Sequence, residues 1–376
     1  MKRLITILLC LLIVLSMKAY DFQAGHLFYN VVDSAHQLVE VTYEYPYRVA
    51  LYGRLRKVTI PPTVTYDSTT YTVVGIGATA FHDCPKLRRI RLPKTLLYID
   101  SAALAELHSL DSIMLPDGLR RIGDAAFYHC KTLSSIHLPT SVDSIGLNVF
   151  AYCHQLDRIT VAPENPTYDS RQDCNGVCRR DSDRLVLSGP RTTFPDKLLS
   201  IGEQAFAYSP YIRQAILPDG LRHIDYAAFA GCDMLDTLRL PETLDSLGAW
   251  AFYGCKMLRH IHLPEALHSI PANCFAECND LRELVLPASV DSLAERAFYF
   301  SGIRSAELKG VRYIGVECFA ACRFLRTLTL SASLEEIAPY AFENCNALER
   351  IYIPLGTRKR FQKLLPKPYH KYLIER

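Results

Sequence analysis

One short phrase recurs along most of this chain, and its copies are usually 23 residues apart. In its clearest form it reads Ile-Gly-x-x-Ala-Phe, with Leu replacing Ile in some copies. A fixed period of this length is typical of a solenoid, in which each repeat contacts mainly its neighbours. The period therefore predicts a stack of repeats, and it points to a binding or scaffolding role. The copies begin at residues 76, 122, 145, 201, 224, 247, 270, 293, 314 and 337.

The rest of each repeat is also regular. A Cys usually follows the Phe by three positions and a Leu follows it by six, before a segment x-Ile-x-Leu-Pro such as residues 135–139. The alternation in that segment predicts a short strand with one buried face. Pro lacks an amide donor, so it ends the strand. The intervening segment, such as residues 77–87, is predicted to form an irregular or briefly helical convex side.

The repeat resembles that of the BspA-like leucine-rich-repeat family, through the pattern Ile-Gly-x-x-Ala-Phe-x-x-Cys-x-x-Leu-x-x-Ile-x-Leu-Pro over residues 76–354. The resemblance implies a right-handed curved solenoid of a secreted or surface-exposed protein of anaerobic Gram-negative bacteria. It also implies extracellular binding, in some members to host matrix proteins or other cells. The family pattern contains no catalytic residues. The predicted fold class is therefore α/β, a leucine-rich-repeat solenoid of about 11 repeats of 23 residues.

The ends and one internal stretch depart from the pattern. Residues 20–75 contain strand-like runs separated by turn signals and are predicted to form a β-rich N-terminal cap. Residues 355–376 are predicted to form a short helical C-terminal cap followed by a tail. Residues 162–195 resemble a hairpin insertion that is common in the same family, and they act either as a spacer or as a protruding recognition loop. Within the repeats, Leu104 replaces the Phe of one copy and Ser301 replaces the Cys of another.

Residues 1–19 are predicted to be a signal peptide. Lys2 and Arg3 precede an apolar run, and Ala19 is a small residue at the expected cleavage site. The apolar run is too short for a stable membrane anchor, so the mature chain is expected to have no transmembrane helix. These features predict an exported protein that is secreted or held at the cell surface.

The charge balance argues against nucleic acid as a partner. The chain has 42 basic and 39 acidic residues, and the excess disappears when Lys2, Arg3 and Lys18 are removed with the signal peptide. A neutral mature chain is not typical of general nucleic-acid or membrane-surface binders. The C-terminal residues 358–376 are locally basic, which fits either a solvated cap or an anion-binding patch.

Thirteen cysteines in an exported chain would ordinarily suggest disulfides. Most of them occupy one repeat position, which favours a ladder of small buried thiols instead. Stacked neighbours would lie about 5 Å apart, but parallel side chains are poorly aimed at one another, so free thiols are expected. Cys174 and Cys178 lie in the insertion, outside the ladder, and are the candidate disulfide.

Functional residues are expected where the strand side chains point away from the core, onto a concave inner face, because solenoids bind partners there. His260, His262 and Glu283 could form a metal site, but two His and one carboxylate are a weak signal and exposed polar strand residues are the favoured explanation, so no metal, cofactor or catalytic site is predicted. The candidate partner-binding residues are Arg89, Arg91, His137, Arg158, Arg239, His260, His262, Glu283, Glu307 and Tyr352.

These observations bear on three classes of function. The first is a non-enzymatic extracellular or cell-surface protein that recognises or adheres to a protein partner, such as a host matrix or cell-surface protein, through its concave face. The alternative is a structural or glycan-binding component of the cell envelope. An enzyme would need catalytic groups close together in a cleft, and the sequence contains no motif of that kind.

Overall fold

The computed structural model describes residues 19–43 and 52–376. Nearly all of the predicted signal peptide, including Cys10, lies outside the described residues. The chain folds as a β-solenoid of about 13 turns of about 23 residues, mostly strands with a small C-terminal helix. Two compact bodies are distinguished, residues 1–167 and residues 168–376. We call them the N-terminal half and the C-terminal half.

The N-terminal half opens with an antiparallel meander and continues as parallel ladders. Strands β1 to β3 pair in sequence, β3 then pairs in parallel with β6, and β6 is followed by the parallel strands β8, β9 and β11. The strands of this half are β1 (Phe22–Ala24), β2 (Leu27–Asp33), β3 (Leu38–Thr42), β4 (Lys57–Thr59), β5 (Thr63–Tyr66), β6 (Thr69–Ile76), β7 (Arg89–Arg91), β8 (Tyr98–Ile99), β9 (Arg121–Ile122), β10 (Ser135–Leu138), β11 (Ser144–Ile145) and β12 (Arg158–Val161).

The C-terminal half begins with a three-stranded antiparallel sheet, β13 to β15, inside the range predicted for the inserted hairpin. Parallel ladders follow. The strands are β13 (Tyr168–Asp169), β14 (Gly176–Arg179), β15 (Arg184–Ser188), β16 (Ser200–Ile201), β17 (Gln214–Ile216), β18 (His223–Ile224), β19 (Thr237–Arg239), β20 (Ser246–Leu247), β21 (Ser269–Ile270), β22 (Glu283–Leu286), β23 (Ser292–Leu293), β24 (Ser305–Leu308), β25 (Tyr313–Ile314), β26 (Thr327–Leu330), β27 (Glu336–Ile337), β28 (Arg350–Ile353) and β29 (Leu373–Glu375).

Most complete repeats contain two strands rather than the one expected from the sequence. The longer strand is the predicted x-Ile-x-Leu segment, and β22, β24, β26 and β28 stack in parallel in that position. The second strand has two residues and ends on the Ile or Leu of the Ile-Gly phrase, as in β21, β23, β25 and β27. Two residues are too few to show an alternating pattern, so the sequence did not reveal this ladder.

The convex segments are turns, not helices. Each repeat places two residues with positive φ there, such as Trp250 (φ 63°) and the glycine Gly254 (φ 68°). A left-handed residue interrupts a right-handed helix. The turns still stack by hydrogen bonds, since the amide of Phe252 donates to the carbonyl of Cys274 at 2.9 Å. Of the two predicted forms, the irregular one is therefore present.

The glycine of the Ile-Gly phrase permits close stacking of the backbone. At Gly248 an added Cβ would lie 2.4 Å from the carbonyl carbon of Asp225 and 2.4 Å from the amide nitrogen of Tyr226. Both are backbone atoms of the preceding repeat and have no rotamer to change. A side chain at this position would push the two repeats apart, so their observed separation requires glycine at position 248.

The core is a column of aromatic rings beside columns of Leu, Ile and Cys. In the C-terminal half the rings of Phe229, Phe252 and Phe275 are nearly parallel, with centroids 5.4 Å apart at each step. All three are fully buried. No single repeat could bury such a face, so the core exists only because the repeats stack.

The C-terminus closes the stack differently from the prediction. The predicted helix is present at Arg358–Leu364, which we label α1 and which buries Phe361. The residues interpreted as a tail instead form a 3-10 helix, Lys367–Tyr372, and the strand β29, which pairs in parallel with β28. At the other end β4, which lies inside the predicted cap, pairs in parallel with β7 of the repeat region. The ladders therefore extend beyond the region assigned to repeats, and about 13 turns form where about 11 were expected.

Candidate functional site

The side chains that point outward from the longer strands form a surface in each half, which we call the strand face. Alternate residues are buried and exposed, as in β7, where Ile90 is buried between exposed Arg89 and Arg91. This follows from the two-residue period of a strand. The surface is the face on which the sequence placed its candidate partner-binding residues.

The strand face of the N-terminal half is basic. Parallel pairing of β4 with β7 sets Lys57 beside Arg89 and Thr59 beside Arg91, on strands about 4.8 Å apart. Lys57, Arg89 and Arg91 are exposed, and none of them forms an ion pair with any residue in the described part of the chain. We call these three residues the basic cluster. The sequence did not indicate Lys57 as a partner-binding residue, because its segment is predicted to belong to the N-terminal cap.

The remaining outward positions of this half add no negative charge. Strand β12 presents exposed Arg158, and His137 on β10 lies 2.9 Å from the hydroxyl of Thr160 through its Nδ1. Met114 is 87% exposed. No Asp or Glu occupies an outward position of β4, β7, β10 or β12. The resulting positive potential favours a negatively charged surface.

The strand face of the C-terminal half is mixed. Arg239 on β19 and His262 line an open groove of about 540 Å³. The Nε2 atom of His262 lies 3.2 Å from a carboxylate oxygen of Glu242, and both side chains are largely exposed. The residues that line the groove are Asp219, Leu238, Arg239, Leu240, Pro241, Glu242, Thr243 and His262.

Acidic and apolar side chains alternate further along the same face. Register pairs Glu283 with Ser305 and Val285 with Glu307. Ile216 is 60% exposed and Val285 is 51% exposed. This part of the surface therefore has no uniform charge.

Tyr352 is covered by the chain itself. The guanidinium of Arg376 lies 3.8 Å from the centroid of the Tyr352 ring. Arg376 also donates from Nη2 to the Thr329 hydroxyl at 2.9 Å. The ring is therefore engaged in an internal cation–π contact and is not presented to a partner in this arrangement.

The three residues considered for a metal site do not converge. His262 contacts Glu242 rather than Glu283. Within residues 19–43 and 52–376, the side chains close enough to hold a metal ion together are instead Glu106, His108 and His129. Their signal in the sequence was periodic: Glu106 and His129 occupy the same repeat position, two residues after the Leu or Phe.

The ladder cysteines are buried and unlinked in this structure. Burial raises the pKa of Cys232 and of Cys278 to about 12. Cys174 and Cys178 are also free and buried, and the thiol of Cys174 donates to the carbonyl of Gly176 at 3.6 Å. Their disulfide stays a prediction.

No helix in residues 19–43 or 52–376 has the length and apolar character needed to cross a bilayer.

Two parallel ladders, a stacked Phe column and a Cys column define a leucine-rich-repeat solenoid. The family described as BspA type leucine rich repeat region matches the chain in six copies, over residues 74–172, 190–304 and 291–364. The matched residues make up more than half of the sequence, so the chain belongs to the BspA-type leucine-rich-repeat family. No catalytic family is indicated. A comparison with curated proteins gave no match.

Solved structures share the fold over most of the chain. The pneumococcal vaccine antigen PcpA is 17% identical with a TM-score of 0.63, covering 94% of this chain and 98% of PcpA. A leucine-rich repeat protein from Bacteroides ovatus is 24% identical with a TM-score of 0.50, covering 95% of this chain and 100% of that protein. One from Eubacterium ventriosum is 17% identical with a TM-score of 0.59, covering 87% of this chain and 89% of that protein. At these identities the likeness concerns the fold.

Proposed function

We propose that this chain is a non-enzymatic, exported, surface-exposed protein that binds a protein partner through its strand face. The basic cluster of the N-terminal half would contact an acidic region of that partner. The observation that carries the proposal is the pairing of β4 with β7, which aligns Lys57, Arg89 and Arg91 without a compensating acid among the described residues.

The physical argument concerns charge and solvation. An exposed cation that is not paired within the protein can pair with a partner without breaking an internal contact. Complementary potentials mainly raise the association rate and select among partners. Exposed Met114 adds apolar area of the kind that supports a protein contact. Arg158 and His137 extend the same positive surface.

Family membership and one of the similar structures are consistent with a surface location. The pneumococcal structure is described as a vaccine antigen, and the predicted signal peptide supports export of this chain. An argument from fold to function is an analogy, so the binding role depends on the strand face itself.

The glycan-binding alternative receives less support from this surface. A glycan-binding surface is expected to present aromatic rings that stack on the ligand. Tyr352, the aromatic residue among the candidates, is covered by Arg376. A protein partner is therefore the better fit to the observed side chains.

The test is capture of proteins from host extracellular-matrix and cell-surface extracts by residues 20–376, compared between wild type and the double variant Arg89→Ala/Arg91→Ala. The matched control is Lys359→Ala/Lys363→Ala, which removes two exposed cations from α1. We expect saturable capture that is lost in the first variant, kept in the control and weakened by salt. Equal capture by both variants, or capture of glycan only, would refute the proposal.

A further inference from the structure

Glu106, His108 and His129 form a compact cluster outside the strand face. Glu106 and His108 belong to one repeat and His129 belongs to the next. Each of the three side chains is between 25% and 29% exposed, so the cluster is partly buried but accessible to solvent. All three lie in the N-terminal half.

The backbone holds the cluster in place. Glu106 (φ 60°) and His129 (φ 59°) are the left-handed residues at the same repeat position. The amide of Glu106 donates to the carbonyl of Tyr128 at 2.8 Å, and the amide of His129 donates to the carbonyl of Ala151 at 2.8 Å. The first bond stacks the turn of Glu106 on the turn of His129, and the second stacks the turn of His129 on the following repeat, so the Glu106 and His129 side chains lie side by side.

The donor atoms converge on one carboxylate oxygen. Oε2 of Glu106 lies 2.8 Å from Nδ1 of His129 and 3.2 Å from Nε2 of His108. The three ligand atoms all lie within 4.8 Å of one another. Two ligands of a tetrahedral zinc ion, each about 2.1 Å from the metal, are about 3.4 Å apart. The Glu106–His108 separation of 3.2 Å is close to that value. The Glu106–His129 separation of 2.8 Å is shorter, so a bound ion would move these two side chains slightly apart.

The hydrogen bonding of His108 points to a cation at this position. Its Nδ1 donates to the backbone carbonyl of His129 at 3.2 Å. A neutral ring with its proton on Nδ1 turns the lone pair of Nε2 toward the Glu106 carboxylate, and two lone pairs at that distance repel. Either a second proton or a metal ion between the two atoms removes the repulsion.

The geometry points to a transition-metal site, of the zinc class, formed by Oε2 of Glu106, Nε2 of His108 and Nδ1 of His129. Two imidazoles and one carboxylate suit Zn²⁺ better than Mg²⁺ or Ca²⁺, which prefer sets of oxygen ligands. Three protein ligands leave one position for water. The bond from His108 Nδ1 to a carbonyl is the outer contact that usually orients a metal-binding histidine.

The site joins two consecutive repeats. Metal binding would therefore stabilise the stacking of these repeats, since a ligand that binds only the folded state adds to its stability. This role is independent of the strand face, and it assigns a function to the part of the molecule that the proposed partner interface does not use.

The experiment is calorimetric titration of Zn²⁺ into chelator-treated, reduced protein comprising residues 20–376. The variants are Glu106→Gln, His108→Gln and His129→Gln. The matched control is His262→Gln, because His262 also lies 3.2 Å from a carboxylate but belongs to no three-ligand group among the residues that the structure describes. We expect one zinc ion per wild-type chain and a loss of affinity of more than about 100-fold in the histidine variants, because the loss of even an outer partner costs 10- to 100-fold. The control should bind as wild type does.

A second measurement decides the outcome if a variant fails to fold. X-ray absorption of the zinc-loaded wild-type protein should show nitrogen and oxygen ligands without sulfur. The inference is overturned if the wild type binds no zinc, if the bound zinc has sulfur ligands, or if folded His108→Gln and His129→Gln bind zinc as tightly as the wild type.

Discussion

The thiol of Cys255 donates a hydrogen bond to the backbone carbonyl of Phe229 in the preceding repeat, at 3.3 Å. The same contact recurs between Cys278 and Phe252 at 3.3 Å and between Cys345 and Phe319 at 3.1 Å. Each of these carbonyls also accepts a turn bond from the Cys amide of its own repeat, as Phe229 does from Cys232 at 3.2 Å. Cys therefore satisfies the second lone pair of a buried carbonyl while filling a small apolar site.

Replacing Cys255 by Ala should cost more than replacing Cys274 by Ala. Both side chains are fully buried, but Cys274 has no thiol bond to a Phe carbonyl in the part of the chain that the structure describes. The difference in unfolding free energy should be about 0.5–1.5 kcal/mol, the net value of a hydrogen bond. Urea unfolding of both variants measures it. Equal costs would mean that Cys255 acts by packing alone.

Truncating Phe252 should strongly destabilise the C-terminal half. Its ring lies between Phe229 and Phe275 at 5.4 Å on either side. Phe252→Ala should cost about 3–5 kcal/mol, and Phe252→Leu should cost less, because Leu104 occupies this position in one natural repeat. Phe324, which is 55% exposed, is the control, and Phe324→Ala should change the unfolding free energy by less than about 0.5 kcal/mol. A small effect of Phe252→Ala would contradict stacking as the main source of core stability.

Stability should fall as the pH rises above about 9. Burial raises the pKa of Cys232 and of Cys278 from 9.0 to about 12. Below pH 9 both the folded and the unfolded states keep these protons, and stability is unaffected. Between pH 9 and 12 the unfolded state releases them first, so each thiol lowers the unfolding free energy by up to about 1.4 kcal/mol per pH unit.

Urea unfolding at several pH values between 8 and 11 measures the slope. The variant Cys232→Ala/Cys278→Ala should show a shallower decline. The native protein at pH 8 should also react with a thiol reagent only as fast as it unfolds. Rapid reaction of the folded protein would show that the ladder thiols are accessible.

Removing residues 373–376 should cause self-association. The strand β29 covers the open edge of β28, and an uncovered edge presents unpaired backbone groups to other chains. Light scattering after size-exclusion chromatography should show oligomers of the shortened protein. Arg376→Ala, which removes the contact with the Tyr352 ring but keeps the strand, should remain in the wild-type state. A shortened protein that stays in that state would contradict the capping role.

Cys174 and Cys178 should form a disulfide under oxidising conditions. Both are buried and lie four residues apart outside the ladder, and the small loop should limit the stabilisation to about 2 kcal/mol. Peptide mass spectrometry without reduction should find these two residues linked and the ladder cysteines free. A link between ladder cysteines, or none at all, would contradict the prediction.

Much of the architecture could be predicted from the residues alone. The copies around Phe229, Phe252 and Phe275 share one spacing, and the buried strand positions follow from the alternation in each repeat. The second ladder, the left-handed turns and the strand role of residues 373–375 were missed. Such short or irregular elements are stabilised by backbone bonds to a neighbouring repeat, and they are too short to show the alternation of a strand or the spacing of a helix.

The repeat period alone establishes that the chain is a stack of repeats, because a face of Ile, Leu, Phe and Cys recurring every 23 residues can be buried only against its own copies. Which exposed side chains meet depends on how the strands and turns pair in the folded chain. Lys57 lies beside Arg89 because β4 pairs with β7, and Glu106 meets His129 because two left-handed turns stack. These neighbours are set by backbone hydrogen bonds between repeats, which any residue can make. The shared repeat position of Glu106 and His129 indicates that they stack, but it does not show that their side chains meet.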